Sequence, residues 1–194
     1  LRLYLAVDGK VVGVLGIEDP LKPGVREAIA DLHALGVKHV VMLTGDSERT
    51  AERIAREAGV DESKAELLPE DKYAYVERIK REGRHVAMVG DGVNDSPALG
   101  LADVGLAMGG GSDTAKEVAD IILADTDLAA IVRLRRMSQG LIDRLTGSYS
   151  KVMLTNSALL ALGITGMITP QASSLLHNGS TIVYSLSSAK AYLH

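Results

Sequence analysis

Cysteine, tryptophan and phenylalanine are absent from this chain. Without cysteine there is no disulfide framework and no thiolate metal site. Without tryptophan and phenylalanine, and with a formal net charge of -4, base stacking and phosphate-backbone attraction both lack their usual residues, so a nucleic-acid partner is not expected. Acidic residues are missing from one region only: from Ser148 to His194 there is no Asp or Glu, and the formal cations there are Lys151 and Lys190. The first residues, Leu1-Arg2-Leu3-Tyr4-Leu5, alternate like a strand and show no signal-peptide layout. The chain opens without an initiator methionine, which leads to the expectation that it begins partway through a longer protein. At 194 residues and 46% hydrophobic, it is long enough for one domain with a core and something extra.

Up to Leu123 the pattern is an alternation of strands and helices. An Asp8-Gly9 turn joins the opening strand to a second over 10–17. Pro23 starts a helix over 23–35 that Gly36 stops. A strand over 39–43, a helix over 47–58 and a short strand over 65–67 follow, then a helix from Pro69 to Arg81. The apolar run Val86-Ala87-Met88-Val89 is a buried strand, with further strands over 104–108 and 121–123. Short helices are expected over 95–101 and 114–119. Such alternation predicts an α/β fold, a Rossmann-like parallel sheet with helices on both faces.

The chemistry lies in the loops that leave the carboxyl ends of these strands. Gly90-Asp91-Gly92-Val93-Asn94-Asp95-Ser96-Pro97-Ala98-Leu99 opens from a strand into a helix start, with Asn94 or Asp95 as its N-cap. Helix starts at such places hold anions, and two carboxylates and a carboxamide are hard oxygen ligands suited to magnesium, so Asp91 and Asp95 are the candidate ligands. Thr44-Gly45-Asp46 offers a hydroxyl and the backbone N–H groups of Gly45 and Asp46 as a phosphate cradle. Lys72, early in the helix after Pro69, can bring an ammonium to the same phosphate, and Asn94 can donate a hydrogen bond. Each alone also reads as a capped turn or a surface charge. Together they outline phosphoryl transfer, which needs charge neutralisation more than covalent chemistry.

From Leu128 the pattern changes to a basic connecting helix over 128–147, carrying Arg133, Arg135, Arg136 and Arg144. Two uncharged runs follow, 152–168 and 172–189, separated by Thr169-Pro170-Gln171, with helices expected over about 152–168 and 172–190. Their length and lack of acids predict a two-helix transmembrane hairpin with its basic flanks on the cytoplasmic side and membrane lipid as a partner. Buried helices of a soluble protein are the alternative.

The ten-residue motif resembles the hinge motif of the P-type ATPases. Asp19-Pro20-Leu21-Lys22-Pro23, Thr44-Gly45-Asp46 and Leu68-Pro69-Glu70-Asp71-Lys72 stand in that family's order and spacing. The resemblance covers nearly the whole chain and implies a phosphorylation domain of haloacid-dehalogenase-like fold over 1–127, with membrane helices over 148–194. It implies magnesium at Asp91, contacts from Thr44 and Lys72 to an aspartyl phosphate, and Asn94 and Asp95 organising the hinge. Two terminal spans are similar to the heavy-metal-transporting branch. There Asn156, Ser157, His177, Asn178, Ser180 and Thr181 are candidate ligands of a transported divalent metal ion, zinc-like or otherwise borderline. The Asp-Lys-Thr-Gly-Thr phosphorylation motif, the nucleotide-binding domain and the earlier spans are not in the chain, so the sheet is expected to be incomplete and the isolated chain inactive. The expectation is a C-terminal portion of an ATP-using, multi-pass membrane pump whose partner is the missing N-terminal portion and whose phosphorylation domain lies in the cytoplasm. The competing expectation is a dehalogenase-like phosphatase relative, soluble or membrane-bound, or a non-catalytic remnant that binds phosphate and magnesium or regulates a complete pump.

Overall fold

The computed structural model describes residues 2–16 and 20–188. Expectations that touch Ile17, Glu18, Asp19 and Lys190 lie outside the described residues. The chain forms two compact units, Leu1–Arg133 and Leu134–His194.

The first unit opens with an antiparallel hairpin of β1 (Arg2–Val7) and β2 (Lys10–Gly16). Asp8 and Gly9 both have positive φ, 50° and 76°, the backbone of a two-residue turn whose twist matches its strands. The register shifts between Leu5 and Ala6, which leaves one extra residue on β2, a bulge. Leu3, Leu5, Val12 and Val14 are each about half exposed or more, so the hairpin shows apolar side chains on both faces.

The α/β part follows in chain order: α1 (Val25–Ala34), β3 (Val41–Leu43), α2 (Glu48–Ala58), β4 (Glu62–Lys64), α3 (Pro69–Arg81), β5 (Ala87–Gly90), α4 (Ser96–Leu101), β6 (Val104–Ala107), α5 (Asp113–Val118) and β7 (Ile121–Ile122). A single 3-10 turn, Val93–Asp95, leads into α4. All pairings in this part are parallel: β3 with β4, and β5 with β6 and β6 with β7. Among the described residues β3 and β5 do not pair, so the expected single sheet is two parallel pieces.

The strand expected over 65–67 is displaced to Glu62–Lys64. Glu66 takes φ 55°, which no strand tolerates. Instead Glu66 N–H donates to the Asp46 carbonyl at 2.9 Å and Leu67 N–H to the Thr44 carbonyl at 3.0 Å. The apolar residues after β4 thus close a loop against the end of β3. Charged residues form the strand itself, where one edge of the pair faces solvent.

The core gathers on α3, α4 and β6, where Val76, Ala98, Leu99 and Leu106 are buried. Burying one leucine side chain contributes about 1.5–3 kcal/mol. A second cluster joins Ala28 and Leu32 of α1 to Val132, with Leu35, Val37, Leu128 and Ile131 packed around it.

The second unit is a helical pair. Helix α6 runs unbroken from Ala129 to Ile164, with all but its first turn in this unit, and α7 from Pro170 to Ser188. A separate connecting helix over 128–147 is therefore not seen as an element of its own. Pro170 occupies the first position of α7, where its missing N–H costs nothing, and Thr169 Oγ1 accepts from Ala172 N–H at 3.3 Å as its cap. Within the unit the helices are antiparallel, joined by Arg144 Nη2 to the Ser187 carbonyl at 2.9 Å and by the Thr155 and Tyr184 hydroxyls at 2.7 Å.

The transmembrane hairpin expected here is corrected: among the described residues no helix is long and apolar enough to cross a membrane. The reason is dilution. Ser, Thr, Asn, Gln and His recur through α7, and the charged residues of α6 continue to Lys151, leaving a short apolar remainder.

Candidate active site

The strand-end loops converge on one cleft of about 1350 Å³ in the first unit, with Asp46 from the end of β3 and Asp91 from the end of β5 in its wall. Within each parallel piece the carboxyl ends leave one edge, and a strand-end aspartate of each piece lines the cleft.

The loop after β3 is tied down by its own hydroxyl. Asp46 N–H donates to Thr44 Oγ1 at 3.1 Å, and Thr44 N–H donates to the Lys64 carbonyl at 2.9 Å. The cradle expected from two N–H groups is therefore half occupied: Asp46 N–H is engaged by Thr44.

The loop after β5 is organised by Asp95. Its Oδ1 accepts from Lys72 Nζ at 2.7 Å, with the two side chains only 15% and 14% exposed. A Cβ placed on Gly90 would stand 2.7 Å from Asp95 Cβ, so glycine is required there for the aspartate to fold back over the turn. Asp95 was expected as an N-cap. It does occupy that position of α4, but the 3-10 turn holds it at φ -91° and ψ -14° with no side-chain cap bond, and the carboxylate goes to Lys72. Ser96, buried beside it, donates to the Gly92 carbonyl at 3.5 Å. Asn94 lies in the 3-10 turn between Asp91 and Asp95.

Asp91 stands apart from this ion pair. Its backbone carbonyl accepts from Ser112 N–H at 2.7 Å, which fixes the loop against the start of α5, and its carboxylate has no partner among the described residues. Nowhere among the described residues do three His, Asp or Glu side chains meet as a metal site. Magnesium commonly takes one or two carboxylates and completes its shell with phosphate and water. Asp91 fits that role as one hard ligand, whereas Asp95, expected as the second, is committed to Lys72.

In the helical unit, His177 Nδ1 lies 2.9 Å from Asn156 Oδ1. With Oδ1 as the acceptor, Nδ1 is the donor of this bond. Ser180 Oγ and Thr181 Oγ1 both donate to the His177 carbonyl, at 2.8 and 3.0 Å. Of the six candidates here, His177 and Asn156 are thus brought together, and Ser180 and Thr181 join them through the backbone. Among the described residues no hydrogen bond joins Ser157 or Asn178 to this group.

The sequence reading passed over the cations of the cleft. Arg49, Arg53 and Arg56 of α2 line it together with Lys22. Their spacing of four and then three along a helix was the available signal.

Parallel strands, a strand-end aspartate and a loop opening into a helix define a class, and the chain belongs to it: it is a member of the haloacid dehalogenase-like hydrolase family, which matches residues 2–103. Within that class it matches heavy-metal P-type ATPases. It is 39% identical over 189 residues to the manganese-exporting P-type ATPase of Mycobacterium tuberculosis (strain ATCC 25618 / H37Rv), covering 97% of this chain and 26% of that protein. It is 42% identical over 168 residues to the copper-exporting P-type ATPase of Bacillus subtilis (strain 168), covering 87% of this chain and 21% of that protein. Its fold is similar to a crystal structure of a zinc-transporting PIB-type ATPase in the E2.Pi state, with a TM-score of 0.86 and 34% identity, over 95% of this chain and 30% of that one. The chain thus spans about a quarter of the length of the curated relatives it matches.

Proposed function

We propose that this chain is the C-terminal portion of an ATP-driven exporter of a divalent heavy-metal cation, cycling through an aspartyl phosphate whose nucleophile lies outside these residues. One observation carries the reading. The similarity to metal exporters does not stop with the hydrolase match at residue 103 but continues through the helical unit to 97% of the chain. The strand-end acids and the His177–Asn156 pair therefore belong to one stretch shared with exporters.

In this reading Asp91 is the chain's ligand to magnesium, which when bound withdraws charge from the phosphoryl oxygens. Thr44 and Gly45 supply hydrogen bonds to the phosphoryl group. Lys72 supplies positive charge that Asp95 holds in place, and Asn94 and Asp95 set the loop. In this reading the strand carrying the nucleophile comes between β3 and β5, which do not pair with each other among the described residues. The helical pair packs against further helices of the complete protein, and His177 and Asn156 offer nitrogen and oxygen to a borderline divalent ion. The first unit lies on the cytoplasmic side.

The test uses the complete gene product in membranes with radiolabelled ATP. The expected result is an acid-stable phosphoenzyme whose turnover rises with one of manganese, zinc or copper. D91N loses the label at least about a hundredfold, H177A loses the metal dependence, and the 194-residue chain alone takes up no label. Label on the isolated chain, or turnover indifferent to every metal, overturns the proposal.

A further inference from the structure

Met108 is followed by three successive glycines, Gly109, Gly110 and Gly111, in the loop between β6 and α5. None of the three has a positive φ, so the left-handed backbone does not account for them. Close approach accounts for two. A Cβ on Gly109 would lie 2.3 Å from the Ala124 carbonyl oxygen. One on the buried Gly111 would lie 2.9 Å from the Met108 carbonyl oxygen, 3.0 Å from that of Asp91 and 3.2 Å from Asp91 Cα. These neighbours are all backbone, which cannot swing aside as a side chain does. The turn is thus wedged between the segment after β7 and the residue after β5.

The wedge holds both peptide groups that flank Asp91 Cα. Met108 N–H donates to the Gly90 carbonyl at 3.2 Å and Ser112 N–H to the Asp91 carbonyl at 2.7 Å. Gly111 N–H closes the turn on the Met108 carbonyl at 2.8 Å, and Gly109 N–H anchors it to the Asp125 carbonyl at 3.3 Å. Peptide groups are planar, so two held planes fix φ and ψ of the residue between them, and with these the direction of its Cα–Cβ bond. Among the described residues nothing else aims Asp91, because its carboxylate has no hydrogen-bond or ion-pair partner there.

We propose that Gly111 and Ser112 are positioning residues for Asp91, holding its backbone so that the carboxylate meets a magnesium ion. The ion rests on the transporter reading above; the grip on the Asp91 backbone rests on the contacts just given. Magnesium takes oxygen ligands at about 2.0–2.1 Å and demands near-ideal octahedral geometry. A Cβ at Gly111 forces the Asp91 backbone to yield by a few tenths of an ångström, enough to be felt at such an ion. Losing a group that holds a metal ligand in place typically costs about 10–100-fold in affinity.

Two readouts on the complete gene product in detergent test this. Calorimetric titration with magnesium chloride, without nucleotide, gives the affinity directly. Phosphoenzyme formation from ATP against free magnesium separates the half-saturating concentration from the plateau. Ser112 has φ -62°, which proline matches, so S112P removes the N–H without straining its own backbone. It also removes the hydroxyl that accepts from Ala115 N–H at 3.2 Å. S112A removes that hydroxyl alone, so the difference between the two variants isolates the bond to Asp91.

The expected result is magnesium binding weakened at least about tenfold in G111A and in S112P, with the half-saturating concentration raised to match and the plateau kept. S112A unfolds at a lower temperature through loss of its cap but binds magnesium within about twofold of the native protein. Should G111A not fold, S112P against S112A carries the test. Native magnesium affinity in G111A and S112P, where D91N has lost it, overturns the positioning role and leaves Asp91 as the ligand. A plateau that falls while half-saturation stays unchanged overturns it too, since that marks general damage to the fold. Undiminished magnesium binding in D91N instead faults the transporter reading at Asp91, and the proposal falls with it.

Discussion

Breaking the contact between Lys72 and Asp95 tests whether the loop after β5 is held by charge. The two atoms are 2.7 Å apart and both side chains are about 15% exposed. At an effective dielectric constant of about 20 the attraction at this distance is about 6 kcal/mol, and desolvation of the two ions offsets most of it. Removing one partner leaves the other charge largely buried and unpaired. K72M and D95N are therefore each expected to cost about 2 kcal/mol, while K72M/D95N, which leaves no orphan charge, costs less than their sum by at least about 1 kcal/mol. With no tryptophan in the chain, urea unfolding is best followed by far-UV circular dichroism. A loss of about 2 kcal/mol appears as roughly 4–8 °C in the midpoint of thermal unfolding. Single losses that add to the double within about 0.5 kcal/mol would show that the pair is geometry without coupling, and Lys72 would then have no structural role to reconcile with a phosphate-binding one.

Two further outcomes follow from the same kind of reasoning. G90A places a Cβ 2.7 Å from Asp95 Cβ, an overpacking that costs about 1–3 kcal/mol and displaces the aspartate from Lys72; native stability in G90A would refute the fold-back. Glu62 is held at a pKa of about 2, below its ordinary 4.5, first by hydrogen bonds from Lys64 and His39. Its folded pKa is depressed, so its contribution is present above pH 4.5 and is lost as pH falls toward 2. Urea midpoints of the native protein should decline over that window more steeply than those of E62Q, and parallel curves would contradict the assignment.

Much of the fold was legible because its signals are local. Pro69 marks the start of α3 and Gly36 and Gly59 follow the ends of α1 and α2, since proline fixes φ at a first helical turn and glycine accepts the left-handed backbone that ends one. The Asp8-Gly9 turn and the strand-end position of Asp91 were readable for the same reason. β4 was misplaced because its residues, Glu62, Ser63 and Lys64, have no apolar alternation; their strand exists only through pairing with Val41, Met42 and Leu43. The break expected between a connecting helix and a first span was read from a change in composition, but nothing in the backbone of α6 stops it there.

By itself, the sequence determined the order of strands and helices, the loops at which acids and hydroxyls gather, and the class of chemistry that those residue types permit. These are properties of neighbours within one or two turns, where φ preferences and hydrogen bonds over three or four residues decide. The tertiary structure alone decided that Lys72 meets Asp95, that Thr44 spends the Asp46 N–H, that His177 finds Asn156, and that three arginines of α2 face the cleft of Asp91. Each of those contacts, apart from the short Thr44 turn, joins residues far apart in the chain, and only packing of whole elements selects which face of a helix or strand meets which partner.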